Sequence, residues 1–239
     1  MKKRSSTKNV ARHGLKSVVV CRAKSRPASI HPASSGAVLR RRDKLLIGVT
    51  GSFGSGKTTV ARMFESHGAL RIDADAIAGS LLKPGNAVYR RLIRNFGKAI
   101  LKKGRRQIDQ RKLSGIVFSH RSLLRKLNRI MHPEVIRSIK KIVRTCRNKI
   151  IILDAPLLIE AGLADFVDRL VVVKARRDRQ IQRIRRKAGL SQDEILARIR
   201  AQMPLKNKVR LADFVIDNNA SMVKTRKQVT LIRRMWWKS

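Results

Sequence analysis

Leu45-Leu46-Ile47-Gly48-Val49-Thr50-Gly51-Ser52-Phe53-Gly54-Ser55-Gly56-Lys57-Thr58 is the stretch whose reading decides the fold. The apolar run over 45–50, ending in glycines, predicts a strand buried on both faces, the kind that parallel sheets use. Val60, Met63 and Phe64 recur at helical spacing, and Gly68 supplies a stop, so a helix is expected from Lys57 through Glu65. Between the two, Gly51 to Thr58 fits the phosphate-binding pattern G-x-x-x-x-G-K-[ST], in the strand-to-helix setting that the pattern requires. Its glycines let main-chain N–H groups converge on phosphate oxygens, and the helix that follows presents its positive dipole end to the same anion. Lys57 is then placed for the β- and γ-phosphates of a nucleoside triphosphate, and the Thr58 hydroxyl for Mg²⁺.

Working outward, Ala69-Leu70-Arg71-Ile72 reads as a second strand ending at Asp73-Ala74-Asp75. That places Asp73 and Asp75 on the carboxyl edge of the sheet, where open α/β folds bind ligands. On extended backbone the two carboxylates share a side, so that one accepts a hydroxyl proton while the other holds magnesium through water; the alternative is that they cap the next helix. Ile150-Ile151-Ile152-Leu153 is the clearest buried strand and ends at Asp154, a position suited to a second magnesium carboxylate or, alternatively, to a cap before Pro156. Leu170–Val173 and Phe214–Ile216 complete a set of five strands.

Residues 77–146 carry apolar side chains at helical intervals, broken by Pro84-Gly85, Gly104 and Pro133, and read as a mostly helical insert. Leu157–Glu160 reads as a short helix or turn closing at Gly162, residues 176–203 as helical and basic, and 221–237 as a last helix. The basic stretch reads as a lid in which one or two arginines face inward onto a transferring phosphoryl group. Arg179 and Arg183, a turn apart, suit that role. His132 before Pro133 is either a ligand contact or a packed helix-end residue, and Trp236-Trp237 is expected to pack. Strands alternating with helices predict an α/β fold with a parallel sheet and right-handed crossovers.

The chain has 239 residues, with 57 Lys plus Arg against 15 Asp plus Glu, for a formal charge of +42. Such charge raises nucleic acid as a partner, yet nine aromatic residues leave little from which to build a base-stacking platform. Residues 1–43 form a basic arm, free of acids through Arg42, which composition assigns to disorder or to an organelle transit segment. Without the arm's twelve bases the remainder still carries +30. Cys21 and Cys146 show no metal-ligand spacing, and no apolar run approaches the ~18–20 residues that cross a bilayer, so a reduced, cytoplasmic protein without membrane insertion is expected.

From about Leu46 to Asn219 the chain resembles the dephospho-CoA kinase family. The resemblance is carried by IGVTGSFGSGKTTVARMF, IDADAIA, FGKAIL, IDQRKLSGIVF, LNRIMHPEV, LDAPLLIEAGL, Gln180 to Arg183 with GLSQDEILARIRAQ, and LADFVIDNN. It implies a P-loop NTPase fold with a five-stranded parallel sheet flanked by helices, in a kinase domain over 44–239 with a helical CoA-substrate insert (77–146) and a lid (176–203). It further implies ATP-dependent phosphorylation of the ribose 3′-hydroxyl of dephospho-CoA. In that scheme Gly54, Ser55, Gly56, Lys57, Thr58 and Thr59 hold the ATP phosphates, Asp75 is the base or hydroxyl-orienting group, and His132 and Leu158 lie against the acceptor. Three departures stand out. Ser52-Phe53 replaces the usual Gly-Ile, Gln110 stands where many relatives have Arg, and Lys187 replaces a lid arginine whose forked contact a lysine cannot reproduce. Two other readings remain at this point: a P-loop kinase for another small alcohol or nucleotide, and a basic nucleic-acid-binding P-loop protein. In the leading reading nucleic-acid affinity is incidental to charge.

Overall fold

The structure, a computed structural model, describes residues 44–237; the basic arm over 1–43 lies outside the described residues. Five strands, β1 (Leu45–Gly51), β2 (Leu70–Asp73), β3 (Ile150–Asp154), β4 (Arg169–Lys174) and β5 (Phe214–Asp217), form one parallel sheet in the order β2-β3-β1-β4-β5. β1 is central, with Leu45 opposite Ile150 on one side and Gly51 opposite Val173 on the other. Ile47, Val49, Ile151, Ile152, Val171 and Val172 are buried, as expected of strands covered on both faces.

One face packs on α1 (Lys57–Glu65) and α9 (Met222–Trp236), around Phe64, Val229 and Ile232. Trp236 and Trp237 close this layer edge-on against Phe214 and Phe64, so the tryptophan pair packs as expected. The other face is covered by the C-terminal half of α5 (Arg121–Thr145), by the 155–167 segment and by α8 (Leu205–Leu211). α2 (Ala74–Leu81), α3 (Ala87–Phe96), α4 (Gln110–Ser119) and the first half of α5 enclose a third core around Leu92, Ile100 and Val117, which is the expected helical insert. α6 (Arg177–Ala188) and α7 (Gln192–Arg200) occupy the basic segment over 176–203, parted by Gly189 and started again by a capping box at Ser191 and Glu194.

Three expectations change. Pro133 does not interrupt the insert: α5 runs through it for 25 residues. A proline inside a helix costs ~3 kcal/mol, but Ile130 and Met131 before it and Ile139 and Val143 after it are buried in two different cores. At ~1.5–3 kcal/mol per buried side chain, burial on both sides outweighs the break. α8 was not foreseen, since its seven residues, LKNKVRL, show no long apolar repeat. Finally, Asp154 caps no helix, because Pro156 to Gly162 form consecutive turns.

Candidate active site

The phosphate-binding loop lies at the carboxyl end of β1, between β3 and β4, where the sheet brings several chain segments to one edge. Gly54 and Gly56 have φ of 80° and 89°, conformations that a side chain resists. A Cβ at Gly54 would lie 2.8 Å from the Gln180 carbonyl, and one at Gly56 2.2 Å from Asn218 Nδ2, so the loop is tightly enclosed as well. Gly56 caps α1 without any side-chain bond, which leaves the first N–H groups of the helix available to an anion. Ser55 Oγ is buried with no hydrogen-bond partner, a second sign of a cradle shaped for a polar group. Thr59 sits one residue further into α1.

The loop is braced from outside. Arg183 on α6 donates from Nη1 to the Ser55 carbonyl (3.1 Å) and from Nη2 to the Asn218 carbonyl (2.8 Å), while Asn218 Nδ2 also donates to Ser55 O at 2.8 Å. Arg183 reaches the loop, but its donors serve main-chain carbonyls, so it holds the loop's shape instead of projecting freely toward a phosphoryl group. Burial, with the nearby Arg179, lowers its pKa from the usual guanidinium value. Arg176, Arg179, Arg185 and Arg186 line an open groove between α6 and α7. Lys187 is not among its lining residues.

At the front of the loop Lys57 Nζ lies 3.2 Å from Asp154 Oδ1, 3.6 Å from Asp75 Oδ2 and 3.4 Å from Thr58 Oγ1. One positive charge therefore sits among the oxygens proposed for a cation, and this hard-oxygen donor set suits Mg²⁺. Among the described residues no group of three or more His, Cys, Asp or Glu gathers to hold a metal by itself. Arg71, which the sequence did not single out, pairs with Asp73 at 2.8 Å and Asp154 at 3.4 Å.

The two aspartates of the DAD pair part company. Asp73 ends β2 and caps α2, with Oδ1 accepting the Ala76 N–H at 3.0 Å; burial pushes its pKa up, but that N–H and Arg71 outweigh it and leave it lowered. Asp75 lies in the first turn of α2, so the two do not share one extended stretch and it is Asp73 that caps. The Asp75 carboxylate is 68% exposed at the mouth of the cleft. Its pKa is raised, first by partial desolvation and then by the charges of Asp73 and Asp154, against the opposing pull of Lys57. Beside it opens a mostly apolar pocket of about 210 Å³, lined by Asp75, Leu127, Met131, His132, Pro156 and Leu158 among others. Burial lowers the pKa of His132, against the opposing charge of Glu160, so this lining imidazole is neutral near pH 7.

Fold and site together define a P-loop phosphotransferase, with a glycine-rich loop facing a carboxylate at the mouth of an apolar pocket. A model of the dephospho-CoA kinase family matches residues 45–224, and the chain belongs to that family. It is 46% identical over 197 residues to the dephospho-CoA kinase of Carboxydothermus hydrogenoformans (81% of this chain, 95% of the relative) and 40% identical over 195 residues to that of Geobacillus kaustophilus (80% and 96%). Among solved structures, TT1252 from Thermus thermophilus aligns with a TM-score of 0.71 at 30% identity, covering 82% of this chain and 99% of the other. Dephospho-CoA kinase from Campylobacter jejuni aligns at 0.56 and 25%, covering 79% and 95%.

Proposed function

We propose that the chain transfers the γ-phosphoryl group of ATP to the ribose 3′-hydroxyl of dephospho-CoA, giving coenzyme A and ADP in the last step of CoA synthesis. The observation that carries this is the placement of Asp75, which stands at the mouth of the acceptor pocket and 3.6 Å from Lys57 of the phosphate loop. As the hydroxyl oxygen bonds to the γ-phosphorus and the bond to the ADP oxygen breaks, Asp75 takes the hydroxyl proton. Its raised pKa makes it a better base than an ordinary aspartate. Lys57 and the loop N–H groups of Gly54 to Thr59 meet the charge on the β- and γ-phosphates. Thr58 and Asp154 are the side chains that would hold Mg²⁺, which would supply charge neutralisation on the phosphates. Asp73 sets the start of α2, and hence the position of Asp75 two residues on. Arg183 keeps the loop in shape, and His132 and Leu158 form pocket wall against the acceptor.

Among the described residues no helix is long and apolar enough to cross a membrane. The compartment we propose is the cytoplasm, in keeping with the bacterial relatives, and affinity for nucleic acid is incidental to the charge. Incubating the purified chain with Mg-ATP, dephospho-CoA and a panel of other alcohols and nucleotides tests the assignment. CoA formation is expected, and phosphorylation of another acceptor with none of dephospho-CoA would overturn it.

A further inference from the structure

Lys208 on α8 is fully buried, and nothing in the phosphoryl-transfer scheme uses it. Its Nζ donates to the Pro156 carbonyl at 2.8 Å and pairs with Glu160 Oε1 at 2.9 Å. Both acceptors are shared. The Pro156 carbonyl also receives the Thr50 hydroxyl at 3.1 Å, and Glu160 Oε1 also receives the Met203 N–H at 2.9 Å. The Lys208 ammonium, the Glu160 carboxylate and the Pro156 carbonyl thus tie together four segments: β1 at Thr50, the Ala155–Leu158 wall of the acceptor pocket, the exit from lid helix α7, and α8. Gln202, next to Met203, accepts the Phe53 N–H at 2.8 Å, so the same exit also touches the loop itself.

A buried ion pair is a poor source of stability, because desolvation offsets its attraction and apolar residues of similar volume often do as well or better. What such a pair does supply is fixed geometry. Here the fixed object is the wall that faces Asp75: Ala155, Pro156, Leu157 and Leu158 all line the pocket, and Pro156 is held by two donors from different elements. We propose that Lys208, acting through the Pro156 carbonyl and Glu160, is a positioning residue for the acceptor substrate, holding the pocket wall in register with the phosphate loop and tying it to the end of the lid. The field at Lys208 agrees: burial lowers its pKa, Glu160 opposes that, and the charge of Lys57 is felt there.

The inference rests on the proposed function, and its test separates the two. Steady-state kinetics with dephospho-CoA and ATP, and thermal unfolding midpoints, are compared for the full chain, Lys208→Met and the double variant Lys208→Met/Glu160→Gln. Lys208→Met strands a half-buried carboxylate, so its midpoint falls, and its KM for dephospho-CoA rises by up to about 100-fold, the scale of an ångström's misplacement. Its KM for ATP stays within about twofold, because the loop's own bonds are untouched. The double variant removes the stranded charge and keeps an acceptor for Met203, so its midpoint recovers while the KM for dephospho-CoA stays high. A KM that returns with the midpoint, or never rises, overturns the inference. A full chain inert toward dephospho-CoA overturns the proposed function and this inference with it.

Discussion

Lys57 Nζ sits 3.2 Å from Asp154 Oδ1 at the end of the sheet, joining the first residue of α1 to the last residue of β3. Asp154 is 1% exposed and stands opposite both Val49 and Asp73 in the sheet, so its carboxylate is carried into the interior by strand register alone. Such a group requires compensation. Lys57 supplies it from one side and Arg71 from the other, at 3.4 Å. The two cations are not equivalent, since Lys57 also faces Asp75 across the cleft and belongs to the phosphate loop.

Lys57→Met is therefore expected to lower kcat by at least ~10²–10³-fold, the range seen when one donor to a developing oxyanion is removed. The fold should survive, because Arg71 still faces Asp154. Coupled assays together with far-ultraviolet circular dichroism check this, and near-normal turnover would remove Lys57 from the proposed scheme.

Asp73 and Asp75 should separate stability from chemistry. Asp75→Asn is expected to reduce kcat by ~10²–10⁴-fold with little change in the KM for ATP. Because the Asp75 pKa is raised, protonation begins at a higher pH than for an ordinary aspartate, so the acid limb of the wild-type rate should lie at a higher pH than an ordinary aspartate would give. The variant's residual rate should lack that limb. The same upward shift means that ionised Asp75 opposes folding at neutral pH, so Asp75→Asn should unfold no more easily than wild type.

Asp73→Ala removes a helix cap and is expected to cost ~1 kcal/mol in urea unfolding, whereas Asp73→Asn keeps an oxygen for the Ala76 N–H and costs less. The lowered pKa of Asp73 gives the opposite pH sign from Asp75. Its contribution is present above the carboxylate pKa of the unfolded chain and is lost as pH falls through the still lower folded value. An Asp73→Ala deficit that persists unchanged at the lowest accessible pH would contradict that assignment.

The sheet and loop were legible because their signals are local: apolar runs of strand length, and a glycine pattern between a strand and a helix. Asp73 and Asp75 were placed at the right edge, but which of them caps depends on where β2 gives way to α2, a boundary that spacing alone does not locate. Pro133 misled because its local effect is real; only the burial of Ile130 and Ile139 in separate cores shows why the helix continues. Arg71 and Lys208 were invisible among the many cations of the chain, since what distinguishes them is partners 83 and 48 positions away. The sequence reading aims Arg183 at a transferring phosphoryl group, whereas its partners in the structure are main-chain carbonyls that no sequence pattern reports.

Arg183→Lys tests that bracing. A lysine presents one ammonium where the guanidinium reaches two carbonyls, Ser55 O and Asn218 O. With Asn218 Nδ2 still bonded to Ser55 O, the loop should loosen without collapsing. The expected outcome is a KM for ATP raised by about tenfold, roughly the ~1.4 kcal/mol of one charge-assisted hydrogen bond, with the KM for dephospho-CoA little changed. An effect confined to kcat would return Arg183 to direct contact with the transferring group.

The remaining charge makes a different prediction. Residues 77–146 carry nineteen Lys and Arg against only Asp109 and Glu134, far more than an acceptor with a single pyrophosphate uses. If those side chains contact polyanions only through counterion release, nucleic-acid affinity should fall steeply between ~50 and 200 mM salt, with a slope near ~0.9 per phosphate neutralised. In the proposed scheme turnover depends instead on the partly buried Lys57 and the main-chain N–H groups of the loop, which salt screens less than exposed pairs. Turnover should therefore vary only a few-fold across the same range, both in the full chain and in a chain beginning at Asp43, which keeps the kinase domain and a charge near +30. Fluorescence anisotropy with a duplex probe, run beside the kinase assay at each salt concentration, measures both. Turnover that collapses in parallel with duplex binding, or that requires added nucleic acid, would make the polyanion a functional partner and not a by-product of composition.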